Sequence, residues 1–157
     1  MKYRESFIQT HDIDFVFTVN NTIVHAASCG YSLPRLVNDV NKNRENIMMI
    51  LNSDIDVPDD KIWINRDYIE RIVKSQYDNE IDSLEQNITE YYESFFYFAK
   101  KGLWSYDVEM SVWNEKKHNL GDELRYHLIC RPVCDCFILE IKDDSRLEYI
   151  QILLENL

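Results

Sequence analysis

The sequence predicts an α+β fold, with a mainly antiparallel sheet of about five strands packed against one long helix and two or three shorter helices. Three observations lead there. Short runs rich in β-branched and aromatic residues gather near both ends of the chain, with helical patterns between them. One apolar pattern at three- and four-residue steps persists from about Asn79 to Lys101. Only three Gly and three Pro occur, too little punctuation for a propeller, a solenoid or a turn-rich sandwich. The order of strands, helices, strands, helix is not the strict alternation of a parallel α/β fold.

Ile13 to Val19 and Thr22 to Ala27 read as a β-hairpin around Asn20-Asn21, because Asn tolerates the positive φ of a two-residue turn. Ser28 to Leu33 reads as a loop. Pro34 can open a short helix with Leu36, Val37 and Val40 inward. Ile47 to Leu51 is a compact apolar run that fits a strand or a helix end. Asn52 to Lys61 is a surface loop, and Ile62-Trp63-Ile64 is too short to assign alone. Asn65 can cap a helix running through Lys74, with Tyr68, Ile69, Ile72 and Val73 on one side.

In the long helix Ile81, Leu84, Ile88, Tyr91, Phe95 and Phe98 recur at three- and four-residue steps, and Ile81, Leu84, Ile88, Phe95 and Phe98 are assigned to the core. Lys100 and Lys101 suit its negative end, and Gly102 suits the left-handed residue that follows. Leu103 to Met110 alternates as a strand does, and Asn114 to Asp122 is a polar turn. Arg125 to Arg131 and Cys134 to Ile141 are β-like and separated by Pro132. Ser145 can cap a last helix with Leu147, Ile150, Leu153 and Leu154. No linker interrupts the 157 residues, so one domain spans 1–157.

The charge is the strongest functional signal. The net formal charge is -11. Ser75 to Ala99 holds Asp78, Glu80, Asp82, Glu85, Glu90 and Glu93 with no Lys or Arg. That balance argues against direct binding of nucleic acid or anionic membrane and favours a cationic partner. The N-terminal residues do not form a signal peptide, and no window approaches the apolar length of a membrane span. A cytoplasmic location is therefore expected, with Cys29, Cys130, Cys134 and Cys136 as thiols.

Catalytic and metal signatures are weak. His127, Cys130, Cys134 and Cys136 are ligand types that zinc accepts, but they lack paired Cys-x-x-Cys turns. Strand alternation puts His127 and Cys130 on opposite sides, which favours core thiols. His25 precedes Ser28 and Cys29, yet no Gly-x-Ser-x-Gly elbow or protease motif surrounds them. His11 and His118 have no evident partner in the sequence. Asp54, Asp56, Asp59 and Asp60 lack the glycine and terminal glutamate of an EF-hand, so a solvated loop is the plainer reading. No cofactor, metal or catalytic residue is assigned. The long helix is different, because its aromatic residues wrap beyond one side. Tyr92 and Tyr97 among Glu85, Glu90 and Glu93 look like a hot spot for a basic protein, with the Asp54 to Asp60 loop as a second acidic surface.

In size, charge and architecture, over its whole length and without a shared motif, the chain resembles bacterial toxin-immunity proteins. These include the immunity proteins of contact-dependent inhibition and other polymorphic-toxin systems. The resemblance implies a non-enzymatic, stoichiometric inhibitor whose acidic face covers the basic cleft of a toxin, often a nuclease. Two other readings remain open. One is a phage or mobile-element nucleic-acid mimic that blocks a DNA-binding enzyme. The other is a small metal-dependent enzyme using His127, Cys130, Cys134 and Cys136.

Overall fold

The computed structural model describes residues 1–19, 22–29, 39–76, 83–108, 123–133 and 149–153. In chain order these form α1 (Glu5–Thr10), β1 (Asp14–Val19), β2 (Thr22–Ala27), α2 (Val40–Leu51), β3 (Ile62–Ile64), α3 (Arg66–Gln76), α4 (Leu84–Lys100), β4 (Trp104–Val108), β5 (Glu123–Pro132) and β6 (Tyr149–Leu153). The fold is α+β, as the sequence predicts.

The described strands make one sheet in the order β1-β2-β4-β5-β3, with β6 also beside β5. The expected hairpin is present, with Val19 opposite Thr22, and its turn residues lie outside the described residues. Every strand pair is antiparallel except β2 with β4. Parallel neighbours need a long crossover, and here the chain supplies α2, β3, α3 and α4 between them. On the outer side of β5, β6 covers Glu123 to His127 and β3 covers Cys130 to Pro132. Asn65 fills the gap between them. Its backbone N–H donates to the Ile129 carbonyl and its side-chain amide to the Leu128 carbonyl, both at 2.8 Å. Asn65 thereby ties the start of α3 to the sheet.

α3 and α4 cover one face of the sheet. Tyr68, Ile69, Val73, Ile88, Phe95 and Ala99 bury there against Val57, Ile62, Ile129 and Cys130. α4 starts at Leu84 in the described residues, and Asn79 to Asp82 lie outside them. Its end is closed as expected. Lys101 and Gly102 donate back to the Phe98 and Ala99 carbonyls, and Gly102 takes φ 86.

The short helix expected from Pro34, with Leu36 and Val37, lies outside the described residues apart from Val40, and the undecided run Ile47 to Leu51 is the end of one continuous helix, Val40–Leu51. Asp39 caps it by accepting from the Asn41 and Lys42 N–H groups. The polar run Asn41 to Asn46 hides it, because its inward residue is itself polar. Asn43 is buried and serves the edge of β1 that no other described strand pairs, accepting from the Val16 N–H and donating to the Asp14 carbonyl.

One expectation needs correction at the C-terminal end, where Ile150 to Leu153 belong to strand β6 rather than to a helix, opposite Glu123 to Tyr126. Ile150 and Ile152 fit a two-residue period as well as a helical one, and strand pairing wins. Cys134 to Ile141, Asn114 to Asp122 and Ser145 to Leu147 lie outside the described residues. In β4, Trp104 to Val108 are all buried, so this central strand is covered on both of its faces.

Candidate functional site

α4 has two sides, and both carry chemistry. Its inner side buries Ile88, Phe95, Phe98 and Ala99. Gln86, Glu90, Glu93 and Tyr97 recur at helical steps on the outer side and are exposed, Tyr97 to 50%. Gln86 donates to Glu90 across one turn, at 2.9 Å. Glu85 pairs with Arg66 of α3. Tyr92 is half-buried and packs beside Phe96 at the margin of the core, so of the two predicted tyrosine anchors Tyr97 is the more exposed.

The predicted acidic loop joins this face at its C-terminal end. Asp54, Asp56, Asp59 and Asp60 are all exposed. Lys100, one turn beyond Tyr97, reaches Asp59 at 2.5 Å and Asp56 at 3.4 Å. Those carboxylates hold the Lys100 ammonium above its ordinary range. The fully buried Val57 plugs the loop into the core, and its N–H donates to the Lys100 carbonyl at 2.8 Å. The two predicted acidic surfaces are thus one surface, running along α4 into the loop. Among the described residues, Glu90 and Glu93 have no ion-pair partner, whereas Glu85, Asp56 and Asp59 do.

Beneath α4 lies a polar layer that sequence reasoning missed. The parallel register sets His25 beside Ser105 and Ala27 beside Asp107, so His25, Ser105 and Asp107 share the helix-covered face. The His25 ring stacks on Phe98 at 3.7 Å between centroids. Its Nδ1 meets Ser105 Oγ at 2.6 Å and its Nε2 meets Asp14 Oδ1 at 2.9 Å. This is a serine–histidine–aspartate chain, but Ser105 and His25 are both 0% exposed. An acyl substrate cannot reach that hydroxyl, so the chain satisfies buried polar groups rather than activating a nucleophile. Both ring nitrogens are engaged, which leaves neither as a base for Ser28 or Cys29.

Further along β4, Tyr91 of α4 donates to the Asp107 carboxylate, whose other oxygen accepts from the Val108 N–H at 2.9 Å. Burial pushes the Asp107 carboxyl up to about 7, against the pull of those two hydrogen bonds. Burial also raises Tyr91, helped by the neighbouring Asp107 charge. The Asp12 carboxyl is raised by burial too, with the Cys29 N–H opposing at 2.7 Å. Cys29, two residues beyond the end of β2, sits at φ 45, a left-handed conformation unusual outside Gly and Asn. Ser28 Oγ is taken up by the Ile13 N–H.

The His/Cys segment is only partly described. His127 stacks on Tyr68 at 4.4 Å. Cys130 is fully buried, and burial pushes its thiol up to about 12. The alternation argument that separates the two needs correction, because a register shift in β4/β5 sets Cys130 opposite Ser105 and His127 opposite Asp107. That shift turns both to the helix-covered face. Cys134, Cys136 and His118 lie outside the described residues. Among the described residues, no three His, Cys, Asp or Glu side chains gather closely enough to hold a metal ion. No described helix is long and apolar enough to cross a membrane.

Comparison with protein-family models, curated proteins and solved structures finds no match to this chain.

Proposed function

We propose that this protein is a non-catalytic binding protein that captures a basic protein partner, acting as an immunity protein that neutralises a cognate nuclease-type toxin. The observation that carries the reading is the continuous acidic surface of α4 and the 54–60 loop, with Tyr97 exposed in its midst. Glu90 and Glu93 supply field for a cationic cleft and, among the described residues, give up no ion pair when one arrives. Tyr97 offers a large apolar body with a polar tip, the kind of side chain that anchors interfaces. Glu85, Asp56 and Asp59 are held by Arg66 and Lys100, which fixes the shape of the surface and lowers its net charge. The closed Ser105–His25–Asp14 chain gives no competing support for hydrolysis.

The test is co-expression with the C-terminal module encoded by the reading frame directly upstream. The expected result is rescue of growth and a one-to-one complex that the Glu90→Lys, Glu93→Lys double variant no longer forms. Rescue and complex formation that survive both charge reversals would contradict the assignment of this face. Competition with many unrelated DNA-binding proteins, rather than with one partner, would replace the immunity reading with nucleic-acid mimicry.

A further inference from the structure

At the β1 edge of the sheet, at the opposite end of the strand order from β3, an open groove of about 780 Å³ lies between α1, α2 and the start of β1. One wall is a ladder of rings at four-residue steps. Tyr3 stacks on Phe7 at 6.2 Å and Phe7 on His11 at 3.9 Å. His11 is held in place by contacts of its Nδ1 with the Phe7 carbonyl at 3.0 Å and Thr10 Oγ1 at 2.9 Å. Phe7 remains 42% exposed, and His11 at the end of the ladder is exposed too. Arg4 and Arg44 line the same groove, a concentration of cations in a chain of net charge -11. Its floor includes Asp14, whose side chain is 47% exposed while one oxygen meets the buried His25.

We propose that this groove binds a small planar ligand carrying an anionic group and a nitrogen donor. The ring packs against the exposed end of this ladder, at His11 and the open part of Phe7, where offset or edge-on aromatic contact is favourable. The anionic group meets the Arg4 and Arg44 guanidinium groups, whose planar forks match carboxylate and phosphate oxygens. The nitrogen donor meets the half-exposed Asp14 carboxylate. The volume falls within the roughly 300–1,000 Å³ of small-molecule sites. Because Asp14 also holds His25, occupancy of the groove reaches the buried Asp14–His25–Ser105 chain. The inference does not rest on the acidic face of α4.

A nucleoside monophosphate and an aromatic amino acid share this chemistry, so the probes are adenosine monophosphate and tryptophan. Each is titrated separately into the full chain and followed by NMR of the aromatic and histidine rings. The expected result is saturable shifts at Phe7, His11 and His25 with one of the two, at a Kd of about 1 mM or tighter. Arg44→Gln should weaken that binding by about ten-fold or more, as should Phe7→Leu at an exposed position. Inorganic phosphate and glycine, which lack the ring, should not reproduce it. A response to the nucleotide assigns a phosphate ligand, and a response to tryptophan assigns a carboxylate one. No saturable shift with either probe on the parent protein would overturn the proposal. So would binding that both variants retain in full.

Discussion

The two sides of α4 handle charge in opposite ways. On the outer side Glu90 and Glu93 stand in water, free of ion pairs among the described residues. On the inner side Tyr91 closes over the buried Asp107, and Phe98 covers the buried His25. The difference teaches where each charge acts. Hydrated carboxylates contribute little to stability and much to the rate of meeting a cation. Buried ones contribute to the cost and uniqueness of the fold and make it respond to pH.

The largest expected effect lies on the inner side. Phe98→Ala removes a buried ring that stacks on His25 and joins Val16, Ile50 and Leu103, so it should cost about 3–5 kcal/mol. Denaturant unfolding measures it. A loss below about 0.5 kcal/mol, the scale of surface substitutions, would break the contrast between the two sides.

The next prediction uses pH. The folded state raises the Asp107 carboxyl from 3.8 to about 7, so it holds a proton that the unfolded chain has released. Its contribution is therefore most favourable below about pH 4 and is lost as pH rises toward and through 7, by on the order of a few kcal/mol. Asp107→Asn mimics the protonated acid, donating to Tyr91 while still accepting from the Val108 N–H. The variant should unfold later than the parent at pH 8, with the gap narrowing toward pH 5. An equal gap at both values would mean that Asp107 does not titrate in this window.

Much of the frame was legible in the sequence. The Asn20-Asn21 hairpin, the α3 face of Tyr68, Ile69 and Val73, and α4 with its Gly102 end all follow from local pattern. The failures share one cause, which is long-range pairing. Ile150 to Leu153 suits a helix until β5 offers a partner, and Asn43 looks like a surface residue until the β1 edge needs its amide. The acidic residues of α4 were readable as charge, but their union with the 54–60 loop depends on Lys100 and Val57. The polar layer was not readable, because the Ser105–His25 contact spans 80 positions and needs a parallel register. The ring ladder has a local signal in Tyr3, Phe7 and His11 at equal steps, but no catalytic motif marks it.

A smaller effect is expected from metal removal. Cys130 lies fully buried with its thiol raised, so it is poorly suited to be a thiolate ligand. Purified protein should hold no stoichiometric zinc, and a chelator should leave Tm unchanged. One zinc per chain, with loss of fold on chelation, would bring the segment around Cys130 back as a site.

Binding kinetics against the proposed partner, a cognate toxin domain, test the central claim most directly. Replacing Glu85, Glu90 and Glu93 with Gln removes three negative charges from the outer side and leaves the buried side untouched. At low salt the triple variant should associate about ten-fold more slowly or worse, within the range that electrostatic steering supplies. Much of the difference should vanish near physiological salt, where exposed charges are screened beyond about 8 Å. Tyr97→Ala should instead speed dissociation, by roughly 2 kcal/mol if the ring is an anchor. Association of the triple variant at the parental rate in low salt would show that the α4 carboxylates are only a solvated face, and would contradict the account.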